Sequence, residues 1–261
     1  MQRTDESFLG ELLRVAQARV GRGYYSVKGG TKARRRSLVS ALRNAERIPI
    51  VAEVKFRSPA EGKLAPARDA GRVARAFEKG GAIGVSVLTE PEHFDGRLEY
   101  LKEVKRAVGL PVLMKDIIVD EMQIRAAGDL GADALLLIAS AFGGEEGRRR
   151  LDELMARSHD EGLEVLLEVH DENEYASALS GEADIVGINN RDLRTLGISL
   201  GTSRRLLRLG PHSKPVICES GIRTRTEIAS LRRLGADGFL LGSALMRAED
   251  PEETLRALSE L

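Results

Sequence analysis

The feature that most constrains this chain is an alternation that begins at Pro49 and runs to the end. Eight short apolar runs, at residues 49–54, 83–88, 111–114, 134–138, 164–167, 185–188, 215–218 and 238–241, are each followed by a charged stretch. Short continuous apolar runs suit strands buried on both faces, as in a parallel sheet. The stretches between them, 68–79, 98–108, 121–130, 145–161, 172–179, 203–209, 225–234 and 251–258, have the spacing of amphipathic helices. Eight strand–helix pairs in this order predict an α/β fold, a (β/α)8 TIM barrel. A doubly wound open sheet is the runner-up, but it usually carries a GxGxxG loop after its first strand, and none is present. The Gly-Ala-Asp phrases at 131–133 and 235–237 fit turns from a helix into the next strand.

Ahead of the barrel, Leu9, Leu12, Leu13, Ala16 and Val20 recur at helical spacing, which predicts a helix over about residues 5–20. Gly21-Arg22-Gly23 and Gly29-Gly30 are breaks, and the basic cluster Lys32, Arg34, Arg35 and Arg36 reads as the solvated start of a helix. The expected organisation is one barrel domain over 1–261, with 1–48 as an N-terminal helical extension and 49–261 as the barrel.

Composition narrows the function. Forty Lys+Arg balance forty Asp+Glu, which argues against a nucleic-acid partner, since such domains carry a basic excess. The single cysteine, Cys218, excludes an internal disulfide framework. Four scattered histidines (His93, His159, His170, His212) give no metal-ligand spacing, so no metal is expected. No apolar run approaches the roughly 20 residues of a membrane helix, and the polar start Met1–Glu6 has no signal-peptide core. The expectation is a cytoplasmic protein, a monomer or weak homodimer, with a small phosphorylated molecule as its partner and no membrane.

In a barrel of this kind chemistry sits at the C-terminal ends of the strands. Alternation puts Val51, Glu53 and Lys55 on one face of the first strand. The third strand ends on Lys115, the fifth on Glu168, the sixth on Asn189 and the seventh on Glu219. Buried charges are costly unless paired, so such a ring is either a satisfied network or a site. Its convergence on one cavity favours a site for acid–base work on an anion. Ser220-Gly221 and Gly242-Ser243, after strands seven and eight, occupy the positions where this fold grips phosphate. Cys218 should point away from the cavity as core.

The residues that carry these charges resemble a known family. Segments 50–59 (IVAEVKFRSP), 113–116 (LMKD), 167–174 (LEVHDENE), 187–193 (GINNRDL), 218–222 (CESGI) and 240–246 (LLGSALM) are together similar to the indole-3-glycerol phosphate synthases, in order over residues 49–247. Those enzymes also have extra N-terminal structure near the barrel mouth. The resemblance implies a lyase of tryptophan biosynthesis that needs neither a metal nor an organic cofactor. It closes the ring of 1-(2-carboxyphenylamino)-1-deoxyribulose 5-phosphate to indole-3-glycerol phosphate, releasing carbon dioxide and water. By motif, Lys115 is implied as the general acid and Lys55 as the holder of the substrate carboxylate, with a possible share in acid duty. Glu168 is implied as the general base, Glu53 and Glu219 as stabilisers of cationic character that orient the lysines, and Asn189 as a hydrogen-bonding assistant. Ser220, Gly221, Gly242 and Ser243 would hold the phosphate. Phe94, Pro59, Leu136 and Leu240 would wall the aromatic ring, and Ser58 and Arg191 complete the residues expected on substrate. Burial and the neighbouring lysine should lower the Lys115 pKa, with the glutamates pulling it back.

Phe56, Ala60 and Ile117 depart from the usual family pattern. Two other readings stand beside this one. A barrel sugar-phosphate isomerase, such as phosphoribosylanthranilate isomerase, would want Cys or Asp at the first strand's end and Asp at the sixth, where this chain has Lys55 and Asn189. A catalytically silent paralogue that binds phosphometabolites would be expected to lose positions that are filled here.

Overall fold

The computed structural model describes residues 7–27, 34–66 and 69–260. In chain order the strands are β1 (Ile50–Val54), β2 (Arg57–Ser58), β3 (Gly62–Lys63), β4 (Gly84–Leu88), β5 (Val112–Lys115), β6 (Ala134–Ile138), β7 (Glu164–Val169), β8 (Ile185–Asn189), β9 (Val216–Glu219) and β10 (Gly238–Leu241). β2 and β3 form an antiparallel hairpin in the loop after β1. The other eight close a parallel barrel in the order β1-β10-β9-β8-β7-β6-β5-β4, which is the predicted (β/α)8 architecture. Three predicted runs began on a proline, and each strand starts one residue later. Proline has no N–H to donate, but the carbonyls of Pro49, Pro111 and Pro215 accept from Phe239, Val85 and Val186 at 3.0, 3.0 and 2.9 Å.

Helices Ala70–Gly80, Leu98–Ala107, Glu121–Leu130, Gly144–Asp160, Glu172–Ser180, Gly201–Leu207, Arg225–Arg233 and Pro251–Ser259 follow the barrel strands. The sixth lies two residues earlier than its predicted start, after a long loop pinned by the bridge Arg191↔Ile198. Short turns of helix at Pro91–Phe94, Ala139–Ala141 and Ser243–Met246 had no periodic signal. The Gly-Ala-Asp phrases do serve as turns, and their aspartates lock neighbouring strands. Asp133 accepts the Val112 N–H at 2.8 Å and Asp237 the Val216 N–H at 2.7 Å. Asp184, in the variant phrase Glu-Ala-Asp, takes the Val165 N–H at 2.8 Å.

Strand alternation divides the apolar side chains into two clusters. Val51, Leu113, Leu136, Leu166, Ile217 and Leu240 belong to the one inside the barrel. Val54, Val87, Met114, Val169 and Cys218 belong to the layer between strands and helices. Cys218 is fully buried, and burial pushes its thiol up to about 12, so it is core as expected.

The N-terminal extension covers both ends. Helix α1 (Phe8–Gly21) lies at the mouth, capped by Ser7, whose hydroxyl accepts the Gly10 N–H at 3.2 Å. Its Arg19 is buried against Glu90 at 3.2 Å, Glu92 at 3.3 Å and Asp116 at 3.8 Å. Helix α2 (Leu38–Arg43) plugs the floor, where Leu38 and Leu42 pack against Gly84 and Gly238 at the starts of β4 and β10. The basic cluster is not simply a solvated face. Arg35 is half-buried and donates to the carbonyls of Ala132, Gly128 and Glu161, fastening the chain to the end of helix Glu121–Leu130. Gly29-Gly30, Lys32 and the outermost residues of the predicted helices at 5–20 and 68–79 lie outside the described residues. No described helix is long and apolar enough to cross a membrane.

Candidate active site

The alternation that fills the barrel with Val51, Leu113, Leu166 and Ile217 also carries, two residues further on, Glu53, Lys115, Glu168 and Glu219 to its top layer. Register places the layer: Glu168 pairs with Gly187, and Asn189 with Glu219. Two glycines make the room. A Cβ at Gly187 would collide with Glu219 Oε1, and one at Gly242 with Glu53 Oε1.

The charges form one network. Lys115 Nζ donates to Glu219 Oε2 and lies 3.8 Å from Glu53 Oε2 and 3.7 Å from Glu168 Oε2. Lys55 Nζ is 2.6 Å from Glu53 Oε1. Glu53, Glu168 and Glu219 are all buried, while each lysine keeps some exposure at the cavity. Glu168 Oε1 and Glu219 Oε1 are buried and accept no hydrogen bond among the described residues. Buried, bare carboxylate oxygens are uncommon because they forgo hydration without replacement.

Three carboxylates share two ammonium groups, and this imbalance sets the protonation behaviour. Burial opposes charge on Lys115, but Glu219, Glu53 and Glu168 outweigh it and hold the ammonium above the usual lysine range. The expected lowering is therefore corrected: three carboxylates within 4 Å decide the direction. Burial would raise Glu53, but the charges of Lys55 and Lys115 bring it below the usual carboxylate range. Glu219 goes the other way. Burial, with Glu168 nearby, pushes it up to about 6 despite Lys115.

Above this layer opens a cavity of about 1000 Å³, including its open side. Glu53, Lys55, Ser58, Pro59, Phe94, Lys115, Leu136, Glu168, Asn189, Arg191, Ser220, Gly221, Leu240, Gly242 and Ser243 all line it. Glu219 does not; it lies beneath Lys115 and reaches the cavity only through it. On the loops after β9 and β10, Ser220 has φ 64° and Gly221 φ 76°, turning the chain sharply beside Gly242-Ser243. Asn189 Oδ1 accepts the Arg191 N–H at 2.9 Å, which fixes the start of that loop. Among the departures, Phe56 is buried edge-on against Tyr100 at 5.3 Å, Ala60 is exposed, and Ile117 lines the cavity.

Several lining residues were not anticipated. Phe8 and Leu12 come from α1 and close the apolar side. Their apolar spacing was visible, but nothing local shows that α1 lies over the mouth. Glu61, on the β2–β3 turn, accepts from the Ser243 hydroxyl at 2.5 Å and pairs with Arg223 at 3.3 Å. No group of three or more His, Cys, Asp or Glu that could hold a metal occurs among the described residues.

The family model for indole-3-glycerol phosphate synthase matches residues 9–258. A protein of that name from Methanopyrus kandleri is 46 % identical over 233 residues, covering 86 % of this chain and 87 % of the relative. Another from Campylobacter curvus is 39 % identical over 227 residues, covering 86 % of this chain and 85 % of its own. A third from Burkholderia vietnamiensis is 42 % identical over 223 residues, covering 84 % of each. Among solved structures, an N-acetylmannosamine-6-phosphate 2-epimerase from Clostridium perfringens superposes with a TM-score of 0.59 at 15 % identity, covering 83 % of this chain and 93 % of that one. At that identity the likeness speaks to the barrel fold alone.

Proposed function

The chain belongs to the indole-3-glycerol phosphate synthase family, and from that membership we propose how its residues divide the family's reaction. The enzyme closes the indole ring of 1-(2-carboxyphenylamino)-1-deoxyribulose 5-phosphate, with loss of carbon dioxide and water. Lys115 is the general acid. It protonates the ketone oxygen while the ring carbon that bears the carboxylate attacks the carbonyl carbon. Breaking the bond to the carboxylate then returns its electron pair to the ring, restoring aromaticity as carbon dioxide leaves. In the last step a lysine ammonium gives a second proton to the former ketone oxygen, now a hydroxyl, which departs as water, and Glu168 takes the proton lost from the adjacent ring carbon. One observation carries this reading: the Lys115 ammonium, with three carboxylates within 4 Å, at the floor of a cavity whose sides include Phe8, Leu12, Phe94, Leu136 and Leu240. A protonated donor aimed at the developing alkoxide is the electrostatic device this chemistry needs.

Lys55, neutralised on one side by Glu53, holds the substrate carboxylate until it is lost. Phe94, Pro59, Leu136 and Leu240 flank the aromatic ring. Asn189 and Arg191 reach the sugar hydroxyls, with Ser58 behind Pro59. The phosphate lies on Ser220, Gly221, Gly242 and Ser243, whose backbone N–H groups and hydroxyls suit an anion. Glu53 and Glu219 keep Lys115 charged and in place, and Glu53 also pairs with Lys55. We further infer a monomer or weak homodimer acting in the cytoplasm. Ile198 and Leu209 are the only exposed large apolar side chains among the described residues, which supports the assembly state.

The test is to supply the carboxyphenylamino-deoxyribulose phosphate with a chelator present and follow indole fluorescence. The chain contains no tryptophan, so its own background is low. Steady turnover is expected. A folded protein with no signal at high concentration overturns the assignment in favour of a silent phosphometabolite binder.

A further inference from the structure

The segment 167–174 contains a histidine that the proposed reaction does not use. His170 follows β7 directly, two residues after Glu168, and its side chain is only 18 % exposed. Its Nε2 lies 2.9 Å from the Arg191 carbonyl, an acceptor, so that nitrogen carries a proton and donates it. The same Nε2 stands 3.6 Å from Glu168 Oε1, the oxygen left without a hydrogen bond. Nδ1 is 3.8 Å from Glu174 Oε2, which also accepts the His170 backbone N–H at 2.7 Å. Lys115 approaches the other oxygen of Glu168, at 3.7 Å.

We propose that His170 is a positioning residue for Glu168. Its ring faces Oε1 while Lys115 faces Oε2, so the carboxylate is held and aimed between two basic groups. The Nε2 bond to the Arg191 carbonyl ties that aim to the loop after β8. This rests on the reading of Glu168 as the base. The groups facing the ring are Glu168 from β7, Glu174 from helix Glu172–Ser180, Arg191 and Asp192 from the loop after β8, and Arg205 from helix Gly201–Leu207. Burial disfavours the cation, but Glu174 and Glu168 prevail and raise the ring to about 9, so it is charged at neutral pH. A purely structural histidine would need only the N–H to Arg191, which a neutral amide also supplies.

The experiment is the pH profile of kcat for the wild type, His170→Gln and Glu168→Gln. Glutamine keeps an N–H donor and removes the charge. An opposite charge within about 4–6 Å typically lowers a carboxyl pKa by 1–3 units. The acidic limb of kcat in His170→Gln should therefore move up by about one pH unit or more, with KM within about threefold of wild type. A superimposable limb overturns the proposal. Glu168→Gln tests the underlying reading separately: near-normal turnover removes Glu168 as the base. Loss of turnover there, with an unmoved limb in His170→Gln, removes His170 alone. If His170→Gln does not fold, the histidine rings of the wild type and Glu168→Gln are titrated by nitrogen–proton NMR; the chain has only four. Coupling between two titrating groups is reciprocal, so without the Glu168 charge His170 should lose its proton about one pH unit lower. An unchanged His170 titration overturns the proposal.

Discussion

Strand β7 carries a glutamate at each end, and the two are used in opposite ways. At the floor, Glu164 accepts from the Ser37 hydroxyl at 2.5 Å and from the Leu38 and Val39 N–H groups at 2.6 and 3.1 Å. It is a fastener, a carboxylate on the first turn of α2 where free N–H groups and the helix dipole favour it. At the mouth, four residues on, Glu168 has one oxygen without a hydrogen bond, 3.6 Å from the His170 ring, and an ammonium at 3.7 Å beside the other. The same division holds across the barrel. Floor Asp133 accepts from Lys105 Nζ at 2.5 Å and from the Val112 and Arg36 N–H groups at 2.8 Å each. Mouth Glu219 keeps one oxygen bare. One end uses charge to close the fold. The other holds charge unsatisfied, which weakens the fold locally and leaves groups ready for a ligand.

Substitutions at the two ends should therefore separate activity from stability. The largest effect is expected for Glu168→Gln. Turnover should fall by about 10²–10⁴, the range for a positioned acid or base, while the urea midpoint stays level or rises. A loss of only a few-fold would place the base elsewhere and erase the contrast on β7. Next comes Asp133→Ala, which strands the Lys105 ammonium, 7 % exposed, without its partner. Breaking a buried pair costs about 3–5 kcal/mol, read from urea unfolding, with kcat unchanged in the protein that remains folded. Smaller again, Glu164→Ala should cost about 2–3 kcal/mol through three lost hydrogen bonds at the start of α2, again without changing kcat. A fall in kcat there would mean that floor and mouth are coupled through β7.

Much of this contrast was open to sequence reasoning, because strand alternation is a rigid rule. Once Val51 and Ile217 are inside, Glu53 and Glu219 must share their face, and eight strand–helix pairs without a GxGxxG loop favour a closed barrel over an open sheet. The roles within the ring came from motif resemblance, since spacing alone assigns no proton. What escaped has a common cause. Phe8 and Leu12 reach the cavity because α1 folds over the mouth, and α1 is held there by Arg19 against residues at the ends of β4 and β5. Those contacts are distant in sequence and leave no periodic trace. The β2–β3 hairpin, two residues per strand, is too short for alternation to register. Arg35 resembled any surface arginine because its carbonyl partners lie about a hundred residues away, and Glu164 resembled an ordinary strand start until α2 supplied its donors. That Glu219 lies beneath Lys115 rather than in the cavity wall is likewise a matter of depth, which alternation does not report.

The smallest effect bears most directly on whether the mouth is strained. Burial holds Glu219 at about 6, above the roughly 4.3 of an unfolded glutamate, so the native state binds this proton more tightly than the unfolded chain does. Its contribution is then fully present below about pH 4.3 and is lost as pH rises through 6, a change on the order of 2 kcal/mol. Glu219→Gln resembles the protonated side chain and can still accept from Lys115, so it should escape that loss. Urea unfolding of both proteins from pH 4 to 8 should show the variant gaining on the wild type up to about pH 6 and holding a constant lead above it. A constant difference across the whole range would mean that the Glu219 charge is as well accommodated as those at the floor. The network around Lys115 would then be a settled ion cluster rather than one kept short of partners until a substrate arrives.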